Sequence, residues 1–153
     1  MYIIFLDIDG VLYSSNHYKW LKTKGKRNKD KYGFLFDPKC VKNFNDIIRK
    51  TDAKIVISSS WRSGGLKTMQ DCFSDRGVKG EIIGLTPIGT IDNLYFCRAE
   101  EIKAWLTKNG VPEKFVIIDD MDLGGLENKL YKTKMANGLT DNIKDEIIKY
   151  FNS

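Results

Sequence analysis

The sequence predicts an α/β fold, a three-layer α/β/α sandwich around a mainly parallel, Rossmann-like sheet. Short, continuous apolar runs alternate with segments whose apolar residues recur at helical spacing, which is typical of parallel strands covered on both faces. Three of the apolar runs lead into polar or acidic residues, at 7–10, 58–62 and 119–122. Because such sheets bind ligands at the carboxyl ends of their strands, these three segments are the candidate functional positions.

The first half of the chain predicts two strands and one helix. The first strand covers Tyr2–Asp7, an apolar run that ends in acid, and an irregular insert rich in glycine and lysine follows over about 10–36. Asp37-Pro38 then predicts a helix start, with aspartate as the N-cap and proline at the first helical position. The apolar residues behind it have helical spacing: Val41, Phe44, Ile47 and Ile48. The second strand is predicted over Lys54–Ser58.

The middle of the chain predicts two more helices with a strand between them. The first helix covers about 64–76 and ends at Gly77. A short strand is predicted at 81–83, and a helix over about 98–109 ends at Asn109-Gly110. The residues expected to face inward are Leu66, Met69 and Phe73 on the first helix, and Ile102, Trp105 and Leu106 on the second.

The last part of the chain repeats the alternation. Phe115–Ile118 is a strongly apolar strand that leads into Asp119-Asp120, and a short strand is predicted near 130–134. A final helix is predicted from Thr140. Its inward residues are expected to be Ile143, Ile147, Ile148 and Phe151.

Length and composition predict one globular domain over 1–153, with 10–36 as a flap. The chain has 153 residues, of which 42% are hydrophobic and 29% charged, enough for a packed core. No apolar run is long enough to cross a bilayer, and no basic region precedes the first one, so a cytoplasmic protein is expected. Cys40, Cys72 and Cys97 form no CxxC pair, which predicts reduced thiols rather than a disulfide framework or a zinc site.

The net charge of +5 comes from one segment. Residues 17–31 contain seven basic residues and one acidic residue, a net charge of +6, so the other 138 residues total −1. Tyr13, Tyr18, Trp20, Tyr32 and Phe34 lie within or beside this segment, a mixture that suits nucleic-acid backbones and bases. The alternative is a solvated lysine-rich loop without a partner.

The acidic strand ends predict a metal-dependent phosphoryl-transfer site. Four carboxylates at one sheet edge repel each other unless a cation lies between them, and oxygen ligands suit Mg²⁺. Asp7 is then a candidate nucleophile, and Asp9, two residues further along an extended chain, a candidate acid and base. A cation near the transferred group is expected from Arg98 or Lys103.

Each of these patterns is weak alone, and two other classes of protein share part of them. An EF-hand is excluded because its full spacing and closing glutamate are missing. A DxD glycosyltransferase is disfavoured because the chain is too short for a nucleotide-sugar domain with an acceptor site. The order of the segments is specific: an apolar strand before DxDG, one before serine, a cation that opens a helix, and a strand before DD.

Five segments carry a resemblance to a known family. They are IIFLDIDGVLYS (3–14), KIVISSSWR (54–62), CRAEEIKAWL (97–106), VIIDDMD (116–122) and NGLTDN (137–142). On these segments the chain resembles, from end to end, the haloacid dehalogenase (HAD) superfamily of phosphohydrolases. Within it, the chain resembles in particular the HAD domains associated with Swiss Army Knife RNA repair proteins.

The resemblance implies catalytic and metal-binding roles. Asp7 would be the nucleophile, Asp9 the general acid and base, and Arg98 the cation of the third family motif. Ala99 departs from the glycine that usually follows this arginine, a small change. Mg²⁺ would be held among four aspartates, with Asp120 favoured over Asp119 as the direct ligand of the last pair: Asp7, Asp9, Asp119 and Asp120.

The substrate-binding residues follow partly from the resemblance and partly from charge. Ser58 or Ser59 would be the serine of the second motif, the triple serine leaving the register open. Arg62 has two readings, a phosphate contact or an ion pair at a helix start. The remaining candidates are Gly10 beside the aspartate pair and the basic flap residues Lys24, Lys26 and Arg27.

The insert sizes predict an open site. Relatives that act on small metabolites generally carry a cap domain, but about 26 residues after the first motif are too few for a packed helical cap. The resemblance implies that capless relatives act on large substrates such as polynucleotide ends or phosphoproteins. The leading prediction is therefore a phosphomonoesterase for RNA or DNA ends in repair. The alternatives are a nucleotidase or other small-molecule phosphatase, and a non-catalytic module that binds phosphate.

Overall fold

A computed structural model of the chain describes residues 1–91, 94–95 and 97–153. Its centre is a sheet of five strands, all paired in parallel: β1 (Tyr2–Leu6), β4 (Lys54–Ile57), β5 (Ile82–Leu85), β8 (Lys114–Asp119) and β9 (Leu130–Lys132). The spatial order is β5-β4-β1-β8-β9, so β1 lies in the middle of the sheet. Its last residue, Leu6, pairs with Ile57 on one side and Ile118 on the other.

Two hydrophobic clusters cover the two faces of the sheet. Alternation along β1 sends Ile4 and Leu6 into the larger cluster and Ile3 and Phe5 into the smaller one. The larger cluster packs under three helices: α2 (Pro38–Thr51), α3 (Leu66–Asp75) and α5 (Asp141–Phe151). The smaller cluster packs under α4 (Arg98–Asn109) and a loop with Leu123 and Leu126. The predicted three-layer sandwich is confirmed.

The helix signals read from the sequence correspond to caps in the structure. The Asp37 side chain accepts a hydrogen bond from the Lys39 N–H, with Pro38 at the first position of α2. The Thr140 side chain caps α5 in the same way. Leu66 is the exception among the predicted inward residues, because it is exposed at the first position of α3 while Met69 and Phe73 are buried.

The insert after β1 is more regular than the sequence indicated. Within 10–36 the chain forms α1 (Ser15–Thr23) and an antiparallel pair of two-residue strands, β2 (Lys29–Asp30) and β3 (Gly33–Phe34). Ser14 caps α1 by accepting a hydrogen bond from the His17 N–H. The helix was not predicted because its lysine-rich outer face leaves few apolar residues at helical spacing. A second small hairpin, β6 (Thr90–Ile91) with β7 (Leu94–Tyr95), precedes α4.

These inserts leave the carboxyl edge of the sheet without a packed cap domain in the described residues. The flap is pinned to α3 by a buried Arg76 guanidinium, which donates to the Asp30 carboxylate and to the Gly33 and Phe34 carbonyls. Across the described residues, no helix combines the length and apolar character needed to traverse a membrane.

Candidate active site

The sheet register places three polar residues side by side at its carboxyl edge. One step beyond the Leu6 pairs, Asp7 lies between Ser58 and Asp119. The ladder continues through this step, because the Ser58 N–H donates to the Leu6 carbonyl and the Asp7 N–H to the Ile118 carbonyl. All three residues are buried, and alternation points them to the face covered by α4.

Three carboxylates meet at this edge. Asp7, Asp119 and Asp120 each offer a carboxylate oxygen, and these oxygens lie within 4.8 Å of one another, close enough to hold a metal ion. Arg98, the first residue of α4, bridges two of them: its Nη1 lies 3.2 Å from Asp7 Oδ2 and 2.9 Å from Asp119 Oδ2. One guanidinium thus faces three carboxylates, which leaves an excess of negative charge.

Burial and the repulsion between neighbouring carboxylates raise the pKa values of two aspartates in this cluster. The pKa of Asp7 is raised to about 8, first by burial and then by the Asp119 carboxylate, with Arg98 opposing both. Burial likewise raises the pKa of Asp119, although Arg98 and the Met121 N–H stabilise its charge. Without a further cation, the cluster therefore holds protons that isolated aspartates would release.

Asp9 does not join the three clustered carboxylates. Both of its carboxylate oxygens lie 3.3 Å from the indole Nε1 of Trp61, which donates to them. The Asp9 carboxylate therefore lies outside the group of three, and a metal-binding role of Asp9 stays a prediction. Trp61, which donates to Asp9, was not among the site residues predicted from the sequence; its position just after a serine-rich strand end was the available signal.

Gly10 is required for space. Its φ is +82°, and a Cβ at this position would lie 2.7 Å from Asp120 Oδ2. Its N–H donates to the Tyr13 carbonyl and its own carbonyl accepts from the Thr133 hydroxyl, so its backbone groups are already bonded within the protein. The lack of a side chain at Gly10 therefore leaves room for the Asp120 carboxylate, and a contact of Gly10 with substrate stays a prediction.

The two candidate serines are distinguished by their hydrogen bonds. Ser59 Oγ accepts from the Trp61 N–H and caps the short 3-10 helix Ser60–Gly64. Ser58 Oγ is different: in the described part of the chain it is the one buried side-chain polar atom without a hydrogen-bond partner. An orphaned buried hydroxyl beside Asp7 is a donor available to a ligand.

Of the two roles that the sequence left open for Arg62, the structure shows the ion pair. It is buried, with Nη2 2.6 Å from Glu101 Oε2, and its other nitrogens donate to the carbonyls of Ser58, Ser59 and Thr86. Four of its five N–H donors are therefore engaged within the protein, and Arg62 connects the serine turn to α4. Glu101 was not singled out from the sequence, because a glutamate inside a helix usually faces solvent.

Removing Glu101 is expected to destabilise the protein strongly. Glu101→Ala leaves the Arg62 guanidinium buried without its counter-ion, which should lower the free energy of unfolding by about 3 kcal/mol in urea titrations. Asp71→Ala serves as the control, because it breaks only the exposed Lys67–Asp71 pair on α3 and should cost less than about 1 kcal/mol. Equal losses in the two variants would contradict the role of Glu101 as the counter-ion of Arg62.

The basic flap residues occupy two settings. Lys24, Lys26 and Arg27 are exposed on the loop after α1, with Lys26 Nζ 5.0 Å from the ring centroid of the exposed Trp20. The part of the flap that borders Asp9 is the hairpin, where Lys31, Tyr32 and Phe34 line a cleft shared with that aspartate.

Lys103 and the three cysteines are not among the residues whose side chains meet at the carboxylate cluster. Lys103, the second candidate for the site cation, pairs with Glu100 at 3.5 Å on the surface of α4. Cys40 and Cys72 are buried free thiols and Cys97 is exposed. Burial raises the pKa of Cys40 to about 12 and that of Cys72 to about 11, so both thiols stay protonated at neutral pH.

Three carboxylates with one arginine at the carboxyl edge of a Rossmann-like sheet agree with the HAD-like class of phosphohydrolases that the sequence motifs resemble. The family model for the "HAD domain in Swiss Army Knife RNA repair proteins" matches residues 3–143. The chain belongs to this family, as its motifs indicated. A search of curated proteins found no match. The family implies a phosphatase-type hydrolase with a link to RNA repair.

Proposed function

We propose that this chain is a Mg²⁺-dependent phosphomonoesterase that works through an aspartyl-phosphate on Asp7, with phosphorylated RNA or DNA ends as substrate. In this proposal residues 1–153 form one cytoplasmic catalytic domain, with 10–36 as its flap. The observation that carries it is the convergence of Asp7, Asp119 and Asp120 on Arg98 at the sheet edge, in a chain of this family.

The donor set fits a hard divalent cation. Its oxygens are all carboxylate and they converge within 4.8 Å. The pKa of Asp7 is raised by burial first and then by the Asp119 carboxylate, and a bound cation would oppose both effects. We assign the site to Asp7, Asp119 and Asp120, with Asp120 favoured over Asp119 because Asp119 is already bonded to Arg98 and the Met121 N–H. Mg²⁺ bound there would neutralise phosphate charge and allow an anionic nucleophile to approach phosphorus.

The reaction divides between two aspartates. A carboxylate oxygen of Asp7 attacks phosphorus, and the bond from phosphorus to the ester oxygen breaks. Asp9 protonates that departing oxygen, which leaves as an alcohol. In the second half, Asp9 takes a proton from water, the water oxygen attacks phosphorus, and inorganic phosphate leaves with the Asp7 carboxylate regenerated. The indole N–H of Trp61 keeps the Asp9 carboxylate in one orientation through both halves of the reaction.

Two residues are suited to hold the transferred group. The free Ser58 hydroxyl lies next to Asp7 in register and is available to a phosphate oxygen, which favours Ser58 over Ser59 as the serine of the second motif. Arg98 lies 3.2 Å from Asp7 and supplies positive charge beside the reacting carboxylate. Neither assignment involves Arg62 or Gly10, whose polar groups are bonded within the protein.

A polynucleotide end is favoured over a small metabolite as the substrate, because the site is open and the flap beside it is basic. The flap carries the +6 segment 17–31, and its hairpin borders Asp9 directly. A nucleotidase remains the second candidate, since the cleft beside Asp9 has room for a single nucleoside.

The test is phosphate release in Mg²⁺ and in EDTA. The substrates are 3′- and 5′-phosphorylated oligonucleotides, the matching mononucleotides, and p-nitrophenyl phosphate. We expect Mg²⁺-dependent release that is fastest from an oligonucleotide end. Preference for mononucleotides would select the nucleotidase, and a folded protein that releases nothing from any substrate would contradict the proposed activity.

Removing four flap lysines is expected to weaken oligonucleotide turnover selectively. Replacing Lys19, Lys22, Lys24 and Lys26 with alanine removes phosphate-backbone contacts, so kcat/KM on an oligonucleotide end should fall at least tenfold, and much less on p-nitrophenyl phosphate. The matched control removes four exposed lysines near the other edge of the sheet: Lys50, Lys79, Lys108 and Lys149. Equal losses on both substrates, or in both variants, would contradict a flap contact.

A further inference from the structure

The proposed reaction assigns no role to the cleft beside Asp9. A cleft of about 510 Å³ opens between the flap hairpin, the 3-10 helix Ser60–Gly64 and α3. This is within the range of pockets that hold small organic ligands. Its lining includes three aromatic side chains, Tyr32, Phe34 and Trp61. Lys31 of the hairpin and the proposed acid and base Asp9 also line it.

The position of the cleft identifies which half of the substrate it faces. Asp9 lines it, whereas the three clustered carboxylates and Arg98 do not. A general acid must touch the oxygen that departs, so the group attached to that oxygen leaves on the side of Asp9. The cleft therefore lies where the leaving alcohol must be, not where phosphate is held.

The lining is chemically suited to a flat aromatic ring. Tyr32, Phe34 and Trp61 border the cleft with their aromatic side chains, and Met69 adds a polarisable apolar side chain. Cys72, which also lines the cleft, is a protonated thiol that behaves as a small apolar group. Lys31 is exposed at the hairpin, in a position to accompany a phosphate backbone that continues away from the site.

The walls are also held in place before any ligand arrives. Trp61 is fixed by its hydrogen bond to Asp9 and by contact with the buried Phe36 at a ring-centroid distance of 5.6 Å. The Tyr32 hydroxyl donates to Asp75, and the Arg76 guanidinium lies over the rings of both Tyr32 and Trp61. A preformed aromatic cleft binds a planar group at a low entropic cost.

We propose that this cleft is a nucleobase subsite, which binds the base of the terminal nucleoside whose ester oxygen departs to Asp9. The inference rests on the proposed phosphomonoesterase activity and specifies its leaving group. Stacking on protein aromatic side chains tolerates every base, so the subsite should prefer nucleosides over abasic ends without strong preference among sequences.

The test compares two substrates that differ in one base. One is an oligonucleotide with a phosphorylated terminal nucleoside, and the other carries the same phosphate on an abasic terminal unit, each prepared with a 3′ and with a 5′ phosphate. The wild-type protein should show at least about a tenfold higher kcat/KM for the nucleoside end. Equal kcat/KM values for the two substrates would overturn the subsite.

A pair of serine variants connects that preference to the cleft. Ser63→Trp places an indole in the cleft from an exposed lining position, and it should reduce the preference to nearly one. Ser74→Trp adds the same bulk to an exposed position of α3 outside the lining, and it should retain the preference. A preference that survives in Ser63→Trp would overturn the assignment of the base to this cleft.

A binding measurement separates failure of the subsite from failure of the proposed function. In the Asp7→Asn background, fluorescence anisotropy reports the affinity of the same labelled oligonucleotides without turnover. The nucleoside end should bind at least about tenfold more tightly than the abasic end, and Ser63→Trp should remove the difference. Absent phosphate release with this binding pattern would contradict the activity alone, whereas equal affinities would overturn the subsite even in an active enzyme.

Discussion

Replacing Asp7 with asparagine is expected to reduce Mg²⁺-dependent phosphate release by at least about three orders of magnitude, with the fold unchanged. An amide is a poor nucleophile and cannot form the acyl-phosphate, whereas it has almost the volume of the carboxylate it replaces. The measurement is kcat on the best substrate of the panel, together with far-UV circular dichroism and a thermal melt.

Asp71→Asn is the matched control for this loss. It makes the same chemical change on an α3 carboxylate that pairs with Lys67, and should leave kcat within about twofold of the wild type. Turnover retained in Asp7→Asn would refute the aspartyl-phosphate mechanism. Loss of activity in both variants would trace the effect to the preparation or the fold rather than to the nucleophile.

In EDTA, the same variant is expected to be more stable than the wild type at pH 8, and the advantage should shrink towards pH 5. The pKa of Asp7 is about 8 in the folded protein against an ordinary 3.8, so folding favours its protonated form. Its contribution to stability is complete below pH 4 and is lost as the pH rises through 8, by up to about 1.4 kcal/mol per pH unit. Asparagine cannot ionise and does not suffer this loss.

Urea titrations at pH 5, 6, 7 and 8 measure the difference in free energy of unfolding between the two proteins. Adding millimolar Mg²⁺ at pH 8 should stabilise the wild type more than the variant, because one of the three clustered carboxylates is missing in the variant. A stability difference that stays constant from pH 5 to pH 8 would contradict the raised pKa of Asp7. Mg²⁺ stabilisation that is equal in the two proteins would contradict the metal assignment to Asp7.

The fold was predictable because its signals are local. Continuous apolar runs, an aspartate before proline at 37–38, and glycine after helix ends each act within a few residues. The two errors come from the solvent-facing surface. In α1 the outer face is lysine-rich and only Leu21 is fully buried, so helical spacing was hidden. Leu66 lies at the start of α3, where the helix has not yet reached the core.

The sequence was sufficient to predict which residues at the ends of the strands form the candidate site. Asp7, Arg98, Asp119 and Asp120 come together as the strand order requires, since parallel strands deliver their carboxyl ends to one edge. The sequence could not orient individual side chains there. The turn of Asp9 towards Trp61 depends on contacts made across more than 50 residues.

The sequence by itself determined the α/β class, the order of the strands' acidic ends and the family, because these follow from patterns within single segments. Only the tertiary structure decided which polar groups remain free for a ligand. Arg62 is engaged by Glu101, Gly10 admits Asp120, and Ser58 keeps an unpaired hydroxyl. Each outcome depends on distances between groups far apart in the chain, which residue type and spacing do not contain.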